Sequence, residues 1–216
     1  MTITLISDTH NKHQFIKNDE IPLADVLIHC GDITNKGTLE EAESFLNWFS
    51  DLPHKNKIFI AGNHDFLFEN KVDFNFKEII PENIIYLENN GITIDGINFW
   101  GSPDQPTFFK MAFNKTKLQR KESFAKIPKN TDVLITHCPP HRILDETKES
   151  DYVGCEVLWE TVKKIEPKLH VFGHIHEAQG PGKRRDKFLS AYPTPVNVED
   201  ILDQTVLNTN DLEGVY

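Results

Sequence analysis

Short apolar runs closed by turn or polar residues recur through the first four-fifths of the chain. Residues 2–6, 26–29, 57–61, 133–136 and 169–172 are aliphatic or β-branched at most positions. Runs this short, with little polar alternation, predict strands covered on both faces. Residues 92–94 and 97–100 flank Asp95-Gly96, the pair favoured by a two-residue hairpin turn. Between the runs the period lengthens. Leu39, Ala42, Leu46 and Phe49 share one helical face, with Thr38 and Glu41 spaced as a capping box. Residues 115–127 and 155–165 carry further helical patterns. Strands alternating with helices specify an α/β fold, to which the hairpin adds antiparallel strands.

After Gly180 the pattern fades. Pro181-Gly182-Lys183-Arg184-Arg185-Asp186 is followed by Pro193, Pro195 and the polar residues 208–213. The reading is therefore one domain over residues 1–180 and a divergent, weakly ordered or edge-of-domain tail over 181–216.

The chemistry sits where the apolar runs stop. Five of them end in polar clusters: Asp8-Thr9-His10, Gly31-Asp32, Gly62-Asn63-His64-Asp65, His137 and Gly173-His174-Ile175-His176. In an open α/β sheet the C-terminal strand ends line one crevice, so these clusters converge. Taken singly, each is an ordinary turn or strand-end polar group. Five in succession point to a metal site. Asp8-x-His10 and His174-x-His176 each send two side chains to one side of an extended segment. With Asp32, Asn63 and His137 they make seven donors, too many for one tetrahedral ion with an open position and suited to two divalent ions. Asp32 is the natural bridging carboxylate. The imidazole, carboxylate and amide set favours Mn, Fe, Zn or Ni over copper(I) or an iron–sulfur cluster.

Charge and composition narrow the picture. The 216 residues carry 23 Lys and Arg against 33 Asp and Glu, a formal net charge of −10. This disfavours long nucleic acids and polybasic membrane binding. Cys30, Cys138 and Cys155 form an odd, widely spaced set without a C-x-x-C, and the N-terminus has no signal-peptide pattern, so a cytoplasmic protein with reduced thiols is expected.

The ordered clusters resemble the motif set of the calcineurin-like metallophosphoesterases. Ile60-Ala61-Gly62-Asn63-His64, Gly101-Ser102-Pro103, Thr136-His137-Cys138-Pro139-Pro140 and the stretch from Pro167 to Glu177 are similar, more narrowly, to its MPPED-like phosphodiesterases. The resemblance implies two mixed β-sheets packed as a central sandwich flanked by helices. It implies that Asp8, His10 and His176 hold one ion and Asn63, His137 and His174 a second, with Asp32 between. Some members replace the residue matching His174 with glycine; this chain keeps it, which implies an intact two-metal centre.

Manganese is the expected ion, with Fe, Zn, Ni or Mg as substitutes. Two such ions about 3.5–4 Å apart clamp a phosphoryl group and supply a bridging hydroxide. His64 would then be general acid or transition-state stabiliser, with Asp65 orienting its imidazole. The implied activity is hydrolysis of small phosphodiesters, cyclic nucleotides included, by a monomer or homodimer. A phosphomonoesterase, a nuclease or a weakly active metal-binding scaffold are the competing readings.

Phe108, Phe109, Met111 and Phe113 are placed to stack on a base, and His141 and Arg142 to touch a phosphate. Relatives usually carry tryptophans where this chain has Asp104, Thr107 and Met111. The tail also lacks the Asn-Ala-Ser-like strand end found in relatives, which would leave the second sheet short of an edge strand.

Overall fold

A computed structural model describes residues 1–69 and 75–178, together with the backbones of Phe188–Ser190 and Pro195–Asn197. The strands are β1 (Thr2–Ile6), β2 (Val26–His29), β3 (Asn56–Phe59), β4 (Ile85–Tyr86), β5 (Asn90–Ile94), β6 (Ile97–Ser102), β7 (Gln105–Pro106), β8 (Asn114–Lys115), β9 (Val133–Thr136), β10 (Leu169–Phe172), β11 (Phe188–Ser190) and β12 (Pro195–Asn197). The helices are α1 (Leu39–Asp51), α2 (Phe66–Glu69), α3 (Lys117–Phe124) and α4 (Glu156–Ile165).

Two five-stranded sheets form, ordered β12-β1-β2-β3-β4 and β11-β10-β9-β6-β5. Both are mixed. β12 runs antiparallel to β1 and β5 antiparallel to β6, while the remaining pairs are parallel. Because both faces of these strands are apolar, alternate residues feed different layers. Ile3, Leu5, Val26, Ile28, Val133, Ile135, Leu169 and Val171 meet between the sheets. On the outer face of the first sheet, Ile6, Leu27 and Phe59 pack on Ala42, Phe45, Leu46 and Phe49 of α1. On the outer face of the second, Leu134 packs with Phe124 of α3 and with Val157, Leu158 and Val162 of α4. The result is a helix–sheet–sheet–helix stack.

Several expectations shift. Leu39 is 40% exposed, and Phe45 takes its place on the buried face of α1. The Thr38 hydroxyl accepts from the Glu41 amide at 3.3 Å, but the Glu41 carboxylate turns back to the amides of Asn35 and Lys36. The reciprocal box forms instead at α3, between Thr116 and Gln119. That helix is shorter than its pattern suggested because Lys115 belongs to β8 and Thr116 is the cap.

The tail supplies edge strands to both sheets: β11 pairs with β10 and β12 with β1. The second sheet therefore has the edge strand that the sequence did not promise. The rest of the expected weakly ordered tail lies outside the described residues. Among the described residues, no helix is long and apolar enough to cross a membrane.

The C-terminal end of α1 is closed by a side chain from the sheet. Lys57 Nζ donates to the carbonyls of Ser50, Leu52 and His54 at 3.0, 2.9 and 3.1 Å. Carbonyls at a helix end have no partner within the helix, and a buried ammonium satisfies three at once. Lys57→Met keeps the apolar stem and removes the donor to the Leu52 and His54 carbonyls, while the Ser50 carbonyl keeps Asn83 Nδ2 at 3.1 Å. It is expected to lower unfolding stability by about 2–3 kcal/mol, read as a reduced urea midpoint at unchanged slope.

Candidate metal centre

β1, β2, β3, β9 and β10 all run in one direction within their sheets, and the polar clusters follow their C-terminal ends. The loops that carry the clusters are laced by backbone bonds. The amides of Asp8 and His10 donate to the carbonyls of Gly31 and Asp32, both at 3.0 Å, and the Gly173 amide donates to the His137 carbonyl at 3.1 Å. Asp8, His10, Asp32 and His174 adopt positive φ, at 53, 43, 56 and 75°. Such conformations are uncommon for non-glycine residues and persist only where the surroundings enforce them. Close approach is also built in at two glycines. A Cβ on Gly173 would overlap the Asp8 carboxylate and the Ser7 hydroxyl, and one on Gly62 would overlap Asp32 and the His137 ring.

Three groups of donor atoms converge: Asp8, His10 and His176; Asp32, His137 and His174; and, between them, His10, Asp32 and His64. In the first group His10 Nε2 lies 3.3 Å from His176 Nε2, and Asp8 Oδ1 lies 3.4 Å from His176 Nε2 and 4.0 Å from His10 Nε2. Ligands about 2.1 Å from one tetrahedral ion stand about 3.4 Å apart, so these edges suit a shared cation. Asp32 Oδ2 faces both groups, at 3.7 Å from His10 Nε2 and 3.5 Å from His137 Nε2. Asn63 Oδ1 completes the second side, 2.8 Å from His137 Nε2.

The electrostatics agree with a cation-binding role. Burial opposes the charge on Asp8, yet the hydrogen bond from His176 and the field of His137 outweigh it and hold the carboxyl below the usual range. Asp32 is likewise held low against its burial by His137. Burial also opposes a charge on His137, but Asp32 and Asp8 win and push its imidazole up to about 9. His174 is pulled down to about 4, first by burial and then by the field of His137, and His10 is lowered chiefly by burial.

Two carboxylates held toward their ionised form thus sit among imidazoles, of which His137 and His176 are pushed toward protonation. A divalent ion would take the place of those protons. The His137 Nδ1 must donate to the Cys30 carbonyl, 2.9 Å away, so Nε2 is the nitrogen left for a metal. The residues present therefore fit divalent cations.

His64 stands at the rim, its ring centroid 4.7 Å from that of His10. Its Nδ1 donates to the Asn35 carbonyl at 2.7 Å, and its amide donates to Asp32 Oδ1 at 2.8 Å. The Asn35 carbonyl, not Asp65, orients the imidazole. The buried Asp65 carboxylate is filled by the amides of Gly62, Ile33 and Thr34 and by the Thr34 hydroxyl, at 2.7, 3.2, 2.9 and 2.6 Å. Burial, then the field of Asp32, raises its carboxyl to about 6. Asp65 thereby joins the loop bearing Asp32 to the loop bearing Asn63.

Of the expected substrate contacts, Phe113 is removed: at 2% exposure it belongs to the core beneath α1. Phe108 remains at the surface, its ring centroid 6.5 Å from that of His174. His141 and Arg142 have local partners. His141 Nδ1 is 3.5 Å from Asp145 Oδ2, and the Arg142 guanidinium lies 5.1 Å from the Tyr152 ring centroid.

Residue types gave no sign of the Asn35 carbonyl, since every residue carries one. The apolar pattern marks His29 as a strand end; its buried ring lies 3.1 Å from the Thr9 hydroxyl and so steadies the Asp8–His10 turn.

With the fold and site in view, comparison gives the family. Residues 1–178 match the calcineurin-like phosphoesterase family, and the chain belongs to it. It is 39% identical over 199 residues to human "Metallophosphoesterase domain-containing protein 1", covering 81% of this chain and 60% of that protein. It is 36% identical over 192 residues to a UPF0046 protein of Caenorhabditis elegans, covering 83% and 65%. The chain thus spans roughly three-fifths of the length of these curated relatives. The crystal structure of a Thermus thermophilus protein, TT1561, superposes with a TM-score of 0.57 at 13% identity, covering 80% of this chain and 81% of that one, and shares the fold.

Gly173→Ala should separate site geometry from stability of the fold. Displacing the Asp8 carboxylate is expected to weaken Mn²⁺ affinity by about 10–100-fold in calorimetric titration, with the circular dichroism spectrum retained.

Proposed function

We propose that this chain is a phosphodiesterase for small, nucleotide-type esters, cyclic ones included, working with two divalent cations of which Mn²⁺ is the first choice ahead of Fe, Zn, Ni and Mg. The observation that carries the reading is the position of Asp32 Oδ2 between two donor groups, 3.7 Å from His10 Nε2 and 3.5 Å from His137 Nε2. Asp8, His10 and His176 would hold one ion and Asn63, His137 and His174 the other. Bound divalent ions supply Lewis acidity for phosphoryl oxygens and lower the pKa of water.

The chain's own residues do the rest. With Nδ1–H committed to Asn35, His64 presents Nε2 toward the donor cluster, where a proton can be held against the leaving oxygen. Asp65 keeps the Asp32 and Asn63 loops in register and orders the backbone that carries His64. His141 and Arg142 are offered as outer phosphate contacts.

The net charge of −10 favours a small ester over a long polyanion. A monomer or homodimer is part of the same proposal, as is a cytoplasmic location, with which the free, buried thiols of Cys30, Cys138 and Cys155 agree.

Hydrolysis of bis-p-nitrophenyl phosphate and p-nitrophenyl phosphate with added Mn²⁺ tests this. The diester should be the better substrate. His64→Ala should lower kcat by about 10²–10⁴-fold while Mn²⁺ binding persists, whereas Asp32→Asn should lose both activity and stoichiometric metal. Equal inactivity of chelated and Mn²⁺-loaded protein on both esters would sink the reading.

A further inference from the structure

The loop from β7 to β8 presents two aromatic rings to solvent beside the donor cluster. Phe108 is 52% and Phe109 80% exposed, and their rings meet edge to face at 4.5 Å. Exposed aromatic pairs cost solvation free energy unless something covers them. This loop is nevertheless held firmly. Asn114 Oδ1 accepts from the Phe108 amide, and Asn114 Nδ2 donates to the carbonyls of Phe108 and Phe109, all at 3.1 Å. Gln105 Nε2 donates to the Ala112 carbonyl at 3.1 Å. The Ala112 amide in turn donates to the carbonyl of Asn63 at 3.0 Å. The loop backbone that bears the rings is therefore tied to the site through the carbonyl of one of its own donor residues. The ring of Phe108 stands at 89° to that of His174, with centroids 6.5 Å apart.

We propose that Phe108, backed by Phe109, is a specificity element that stacks on an aromatic group of the substrate, a nucleobase, while the adjacent centre holds the phosphate. This rests on the phosphodiesterase reading above and assigns recognition of the base to a particular residue. An aromatic side chain on a held backbone contributes stacking area at low entropic cost, having only two side-chain torsions, and every base offers a π-face, so the element selects nucleoside esters as a class rather than one base.

Two esters with the same leaving group test it: the p-nitrophenyl phosphate ester of thymidine and methyl p-nitrophenyl phosphate, with Mn²⁺-loaded protein. The thymidine ester should be favoured about tenfold in kcat/KM, mostly through KM. Phe108→Ala should bring the ratio close to one, and Phe108→Trp should restore it. Leu23→Ala, an exposed apolar residue preceding β2, should leave the ratio as it was. Calorimetric affinities of thymidine monophosphate and methyl phosphate give the same ratio without turnover. Hydrolysis of both esters with a ratio that Phe108→Ala does not move overturns this inference and leaves the phosphodiesterase reading standing. Absence of hydrolysis overturns that reading, and the affinity ratio then decides the stacking role alone. An unchanged ratio would assign the exposed pair to a protein contact instead.

Discussion

Two carboxylates, the partly buried Asp8 and the buried Asp32, share one cluster, and the cost of keeping both ionised there organises the surrounding structure. Burial alone would protonate them. They are held low by imidazoles, His176 and His137 for Asp8 and His137 for Asp32, and backbone amides fill their oxygens: the His174 amide donates to both oxygens of Asp8 at 3.1 Å, and the His64 amide donates to Asp32. Supplying those amides at that distance requires chain reversals directly after the strands. The positive φ values at Asp8, Asp32 and His174 and the missing side chains at Gly62 and Gly173 are the local form of that requirement.

The layered core makes the arrangement possible. Strands that are apolar on both faces can be buried between a second sheet and a helix, and their ends then fall at one rim with few polar side chains left inside. His29 and His170 are exceptions. Burial pulls both down to about 3, so they stay neutral and serve as hydrogen-bonding partners for Thr9 and Thr136.

Much of this was legible in the sequence because it is periodic. β1, β2, β9 and β10 coincide with their apolar runs, and the donor clusters follow them as residue types with few other uses at strand ends. What was not legible depends on through-space partners. Leu39 and Phe45 fit the α1 pattern about equally, and only the position of the sheet decides between them. Phe113 looked like its neighbours Phe108 and Phe109 in the chain, but the hydrogen bonds of the β7–β8 loop send it inward and the others outward. Asp65 read as the partner of His64 because it is adjacent, whereas donors from two loops had already filled its oxygens. Two-residue strands such as β4, β7 and β8 carry no period at all.

The hydrogen bond from the His174 amide to the Asp8 carboxylate joins residues 166 positions apart. Neither the group of Asp8, His10 and His176 nor that of Asp32, His137 and His174 is complete until both sheets have formed and closed against one another. The site is therefore among the last local structures the chain can assemble. A cation retained there has no counterpart in the unfolded chain, and its binding energy becomes cohesion between the sheets. Metal supply would then govern how long the folded chain survives.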